Sequence, residues 1–249
     1  SHCLYGISVV KNISEYVHIT CDGVGEGETM SIHTIDNKFK IKKIWANFYP
    51  NSIGLFYSTI TDFLGFEINE GEFKVMSLSS FGKPKYEKQL KQIFNINNFK
   101  INMDYFEFQK NLSKSFSKKL CEVFGKPYLN LNEEANFKKY ADIASSAQLI
   151  LEETMENLIK KAIQISGKKK IVLTGGVALN CKMIHNLSKL DIFDELVVPP
   201  SPGDSGSAIG AANFAYLNKT KNKTLNLNTI FLGPKKELIN DKKNKDNLF

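Results

Sequence analysis

The sequence predicts an α/β fold on a mixed sheet, with three antiparallel strands early in the chain and two parallel strands late. Two observations carry this reading. Residues 15–46 alternate apolar and polar side chains in three short runs divided by turn residues, the period of half-buried strands. Residues 170–173 hold a short unbroken apolar run that meets two glycines and then a helical pattern, as a buried parallel strand feeding a helix does.

The elements follow in order. Residues 16–21 alternate, 22–27 turn, 29–35 alternate again, Asp36 and Asn37 turn, and 39–45 return. A helix is predicted over 52–66, with Ile53, Phe56, Ile60, Phe63 and Leu64 on one face and Ser52 after Pro50 as a sound N-cap arrangement. Residues 67–86 read as a loop punctuated by glycine. Helices are predicted over 104–124 and 134–166, the second from the spacing of Ile143, Ala147, Ile150, Leu151, Met155, Leu158, Ile159 and Ala162. A strand at 170–173, a helix at 177–187, a strand at 195–198 and a helix from Asp204 to about 217 complete the series. Three antiparallel strands followed by helix–strand–helix–strand–helix is the order of a ribonuclease-H-like lobe, which carries ligands at the loops leaving its strand ends. From residue 218 the chain turns Lys/Asn-rich, so 1–217 is expected as the folded domain and 218–249 as a linker or tail, interrupted at 230–234.

Composition narrows the function. At 249 residues with 42% hydrophobic and 24% charged residues the chain suits one large domain or two small lobes. No apolar run approaches the roughly 18–20 residues that span a bilayer, and no signal-peptide pattern opens it, so no membrane role is expected. Cys3, Cys21, Cys121 and Cys181 are scattered without CxxC pairing, which reads as free thiols of a cytoplasmic protein. The net charge of +7 comes from Lys alone, with no Arg present. Much of it sits in the tail, and without a guanidinium fork a nucleic-acid partner is not expected.

Four segments carry candidate chemistry. In 174–180, Gly175 and Gly176 allow a sharp turn and close backbone approach, Val177 opens the following helix, and Asn180 lies in its first turn. A turn with glycines for packing alone has the same spacing, so both readings stand. In 202–212, Asp204 sits at a helix start, where a carboxylate also serves as a routine N-cap, and Gly206, Gly210 and Ala211 point to close helix packing. In 22–26, Asp22 lies in a loop longer than a hairpin needs, able to wrap phosphates or offer a hard oxygen to a divalent metal. In 70–76, Lys74 between apolar residues is a solvated strand charge or a ligand contact. His2, His18, His33 and His185 form no close-spaced pair, so spacing assigns none of them a ligand role.

Taken together, "DGVGE" at 22–26, "PNSIGLFYSTITDFLGF" at 50–66, "EGEFKVMSLSSFG" at 70–82, "ADIASSAQLILEE" at 141–153, "LTGGVALNCKM" at 173–183, "PSPGDSGSAIGAA" at 200–212 and "FLGP" at 231–234 resemble the O-carbamoyltransferases that act on nodulation factors and antibiotics. The resemblance implies an actin-like ATPase fold. It also implies ATP and carbamoyl-adenylate as ligands, carbamoyl phosphate as carbamoyl source, a sugar or other small-molecule hydroxyl as acceptor, and a divalent metal, iron in most members. By the same match His2, Asp22 and Asp204 would hold the metal. Gly54, Ser58, Gly175, Gly176, Val177 and Asn180 would line the nucleotide, and Asp22, Lys74 and Asp204 are the candidates for catalytic work. The family's first metal His would lie upstream of Ser1, and its carbamoyl-adenylate-forming domain would follow this region. The chain is therefore expected to be part of a larger enzyme and not to turn over alone. Asn51 stands where the family often has His, and Ser77, Ser79 and Ser80 replace its usual Gly and Ala/Pro positions before Phe81 and Gly82. Another actin-like enzyme, a sugar kinase or a tRNA threonylcarbamoyl-transfer protein, is the competing expectation, and an inactive nucleotide-binding remnant the third.

Overall fold

A computed structural model of the chain describes residues 1–110 and 114–220. Its sheet has the order β3-β2-β1-β6-β7, formed by β1 (Tyr16–Cys21), β2 (Glu28–Ile35), β3 (Ile41–Phe48), β6 (Lys170–Thr174) and β7 (Glu195–Val197). β2 runs antiparallel to both β1 and β3, while β6 lies parallel to β1 and β7 parallel to β6. This is the mixed sheet, three antiparallel strands beside two parallel ones, that the sequence predicts. A small hairpin, β4 (Phe94–Asn95) with β5 (Lys100–Ile101), stands apart.

Alternation along β1 sends its side chains to two layers. Val17, Ile19 and Cys21 enter the larger core beneath α2 (Ile53–Phe63), α3 (Glu72–Leu78), α4 (Glu87–Ile93), α5 (Lys118–Phe124) and the long α6 (Glu134–Ser166). Tyr16 faces the smaller core with Cys3, Ile7, Ile35 and Val172, under α1 (His2–Ile7). α6 shows Tyr140, Ile143, Ala147, Ile150, Leu158 and Ile159 at 0% exposure, the apolar stripe that its spacing predicts. It ends at Gly167, whose φ of +70° is the left-handed conformation of a helix C-cap. α7 (Cys181–Leu187) and α8 (Asp204–Thr220) complete the layers.

Several expectations need correction. The loop expected over 67–86 contains α3 and a 3-10 turn at Ser79–Phe81, short elements hidden by Gly71 and Gly82 at their ends. The helix expected over 104–124 shrinks to α5, because Phe106 and Phe116 pair as an isolated strand bridge instead. The helix expected from Val177 begins as a 3-10 turn at Gly176–Leu179 and becomes α-helical only after Asn180. α1, α4 and the small hairpin went unpredicted. α8 runs to Thr220, so the boundary expected at 217 falls inside a helix. The rest of the expected tail, with its 230–234 segment, lies outside the described residues.

Register positions the site. Thr20 pairs with Thr174 and Val172 with Val197, so the loops after β1, β6 and β7 all leave the same edge of the sheet. Among the described residues no helix is long and apolar enough to cross a membrane.

Candidate functional site

The three loops enclose a cavity of about 500 Å³. Of the residues singled out in the sequence, Asp22, Gly54, Ser58, Gly176, Val177, Asn180 and Asp204 line it. Gly54 does so because the start of α2 touches the loop after β1. A Cβ there would stand 2.7 Å from the Gly23 Cα and 2.9 Å from the Asp22 carbonyl oxygen. Ser52 fixes that approach, its Oγ donating to the Gly23 carbonyl (2.6 Å) while accepting from the Leu55 N–H (3.0 Å) as N-cap of α2.

At one end of the cavity three ligand-type side chains converge. The Nε2 of His2 lies 2.9 Å from Oδ2 of Asp22 and 3.5 Å from Oδ1 of Asp204. One donor atom from each of the three falls within 4.8 Å of the others. Asp22 also accepts from its neighbouring Gly23 N–H at 2.8 Å. Burial opposes ionisation of the Asp22 carboxyl, but hydrogen bonds from His2 and from the Gly23 and Gly176 N–H groups outweigh it and hold the group below its ordinary value. Asp204 opens the 17-residue helix α8. The other imidazole nitrogen, Nδ1 of His2, meets Ser207 Oγ at 3.3 Å, an outer contact that sets ring orientation. His2 is delivered by the packing of α1 on α8. Gly206 has the Tyr5 ring where a Cβ would lie, and Gly210 has the Ser1 carbonyl at 2.1 Å from that point.

Two sequence candidates stand elsewhere. Lys74 is exposed on α3, with its ammonium 5.8 and 5.9 Å from the Phe66 and Phe73 ring centres, and does not line the cavity. Gly175 also stays outside the lining. Its φ of +99° and a virtual Cβ 2.1 Å from the Cys21 carbonyl oxygen show a residue that seats the β6 loop on the end of β1. Ser58 lines the wall, but its hydroxyl donates to Glu72 Oε1 at 2.7 Å. Asn180 caps α7, accepting from the Met183 N–H at 2.9 Å.

Sequence reasoning missed Tyr57, Asn69, Glu72, Phe73, Met76, Leu151 and Leu179, which also line the cavity. Tyr57 sits one position before Ser58 within a quoted stretch, and a helical wheel of α2 would have aligned it with Gly54 three positions earlier. Leu151 reads from sequence as plain core, and nothing local marks it. The cavity thus joins an apolar wall, a polar amide and a His–carboxylate end.

Comparison with known proteins adds lineage. The family model described as the carbamoyltransferase N-terminus matches residues 11–213. The uncharacterized protein sll1178 of Synechocystis sp. is 34% identical over 195 residues, 77% of this chain and 31% of that protein. Nodulation protein NolNO of Sinorhizobium fredii is 26% identical over 198 residues, 78% of this chain and 27% of its own length. The chain therefore spans about a third or less of these two relatives. Among solved structures, the activator of the 2-hydroxyisocaproyl-CoA dehydratase from Clostridium difficile with bound ADPNP is similar at a TM-score of 0.48 and 15% identity, over 92% of this chain and 70% of that one.

Proposed function

The chain belongs to the carbamoyltransferase family, matching the N-terminal region of its members, and from that premise we propose that it moves a carbamoyl group from carbamoyl-adenylate to a hydroxyl of a sugar or other small molecule. In this reading carbamoyl-adenylate is made from carbamoyl phosphate and ATP by a further domain of the whole enzyme, and the reaction runs in the cytoplasm as part of a biosynthesis. The observation that carries it is the convergence of His2, Asp22 and Asp204 at one end of a cavity whose wall includes Gly54, Gly176, Val177 and Asn180.

The parts suit the chemistry. The acceptor oxygen attacks the carbamoyl carbon, the bond from that carbon to the adenylate oxygen breaks, and AMP leaves with the bonding electrons. The hydroxyl proton passes to a base, for which the exposed Asp204 carboxylate facing the cavity is suited. AMP is a good leaving group, so the protein's main work is to hold two partners in line and to oppose developing negative charge. Gly54 and Gly175 hold the loops that bound the cavity, since a Cβ at either would meet neighbouring backbone.

The residues also fit a divalent cation. An imidazole nitrogen and two carboxylates with their nearest atoms 2.9 and 3.5 Å apart match donors that share a cation at about 2.0–2.2 Å. Such a set accepts iron and also manganese or zinc. When bound, the cation supplies Lewis acidity toward phosphate and carbamoyl oxygens.

The test is mass spectrometry of candidate sugar acceptors. The chain is supplied with carbamoyl phosphate, ATP, Fe²⁺ and a carbamoyl-adenylate-forming domain of the family. One added carbamoyl group, lost in Asp204→Ala, is the expected result. A phosphorylated acceptor would instead identify a kinase and refute the proposal.

A further inference from the structure

Behind the cavity wall lies a hydrogen-bonded group of side chains centred on Gln148, which does not itself line the cavity. Gln148 projects from α6 and is 2% exposed. Its Oε1 accepts from the Tyr57 hydroxyl at 3.0 Å and from Asn180 Nδ2 at 2.9 Å. Its Nε2 donates to Asn180 Oδ1 at 3.0 Å and to Glu152 Oε1 at 2.8 Å. Both lone pairs and both N–H bonds of the amide are thereby used. Tyr57 and Asn180 thus share the single oxygen of Gln148 as acceptor. Glu152 extends the group by accepting from Asn186 Nδ2 on α7 at 2.9 Å.

Tyr57 on α2 and Asn180 at the start of α7 both face the cavity, whereas Gln148 touches them from the far side. The amide-to-amide pairing admits one orientation of Asn180, with Oδ1 toward the α7 backbone and Nδ2 toward Gln148 Oε1. We propose that Gln148 is a positioning residue: it sets the Tyr57 ring and the Asn180 amide as a rigid nucleotide-facing wall and ties α2, α6 and α7 together around it. The proposal rests on the reading of this cavity as a nucleotide site. Burial makes the arrangement sensitive, since removing one partner strands polar groups that water does not reach. Consistent with that setting, burial pushes the Tyr57 phenol far above its ordinary range.

The test uses the full chain, the non-hydrolysable ATP analogue ADPNP, and Mn²⁺ as a separate probe of the His–carboxylate end. Gln148→Leu keeps the volume and removes all four bonds. It is expected to weaken ADPNP binding about tenfold while leaving Mn²⁺ affinity in place. Thr154→Val on the same helix, whose hydroxyl bonds only the Ile150 carbonyl, controls for general loosening and should bind ADPNP like the unaltered chain. Tyr57→Phe removes one hydroxyl with little change in packing, and carries the test if the leucine variant does not fold. It should show a smaller loss, and in the double variant the two losses should overlap instead of multiplying. Unaltered ADPNP affinity in Gln148→Leu, an equal loss in Thr154→Val, or fully multiplicative losses would overturn the role of Gln148 alone. Failure of the unaltered chain to bind ADPNP would overturn the nucleotide reading, and the proposal with it.

Discussion

The imidazole of His2 stands 2.9 Å from the carboxylate of Asp22, although one belongs to a short helix on the sheet's smaller-core face and the other to the loop that leaves the end of β1. The contact is built by helix packing. α1 lies on α8 through Gly206 and Gly210, and α8 presents Asp204 to the same ring.

Asp22→Ala should abolish measurable Mn²⁺ or Fe²⁺ binding, because it removes the most buried carboxylate of the cluster. Ser207→Ala, which loses the hydroxyl's contacts with His2 Nδ1 and Ser1 Oγ, should weaken the cation about tenfold. Titration with Mn²⁺ followed by electron paramagnetic resonance reads both. Equal affinity in Asp22→Ala and the unaltered chain would dismiss the cluster as a cation site.

Gly54→Ala should destabilise the chain by about 1–3 kcal/mol, since the new methyl meets the Gly23 backbone and not a side chain that can turn away. Gly175→Ala should cost at least as much, adding an unfavourable positive φ to a backbone collision with Cys21. Urea unfolding measures both. The Gly54 variant should also lose cation affinity, because the displaced loop carries Asp22.

Acid should weaken the fold through two paired histidines. His18 and His33 face each other across β1 and β2. Burial lowers His18 to about 3 and His33 to about 4, from an ordinary 6.5. Above 6.5 neither folded nor unfolded chain binds the proton and stability is undiminished. Below it the unfolded chain takes up protons that the folded chain refuses, so stability falls by about 1.4 kcal/mol per pH unit for each histidine until the folded-state values are reached. Urea midpoints between pH 7.5 and 5 should therefore drop, and drop less in His18→Phe.

Thiol reactivity should divide by burial. Cys181 is exposed, whereas burial raises Cys3 to about 12 and Cys21 well above its ordinary value. Brief alkylation read by peptide mass spectrometry should mark Cys181 first, and Cys3 and Cys21 only after unfolding.

β1 and the long helix α6 were legible because each keeps one period, and β6 because its apolar run is unbroken. α6 holds its apolar stripe over 33 residues, and β1 alternates without interruption. Short elements were not legible: α3 has seven residues and begins at a glycine, and its stability comes from packing against α6. At the site, the Gly175–Gly176 pair after an apolar strand marked a sharp backbone turn, whereas Gly54 came from the family resemblance and not from spacing. Lys74 was chosen for its charge between apolar neighbours, but helical geometry turns it outward over Phe66 and Phe73. Asn51, noted as a departure from the family's usual His, accepts from the Ile101 N–H at 3.2 Å through Oδ1 and braces the small hairpin. No pattern in one sequence announces Gln148, because a buried amide's partners come from helices far away in the chain.

The join between α1 and α8 has a thermodynamic corollary. Any ion gripped by residues 2, 22 and 204 must fasten two helices and a strand end at once, so loading should act as a rivet on that helical layer. Chelation should then be felt first as faster amide exchange in α1 and the opening turn of α8, with the β1–β6 ladder still protected.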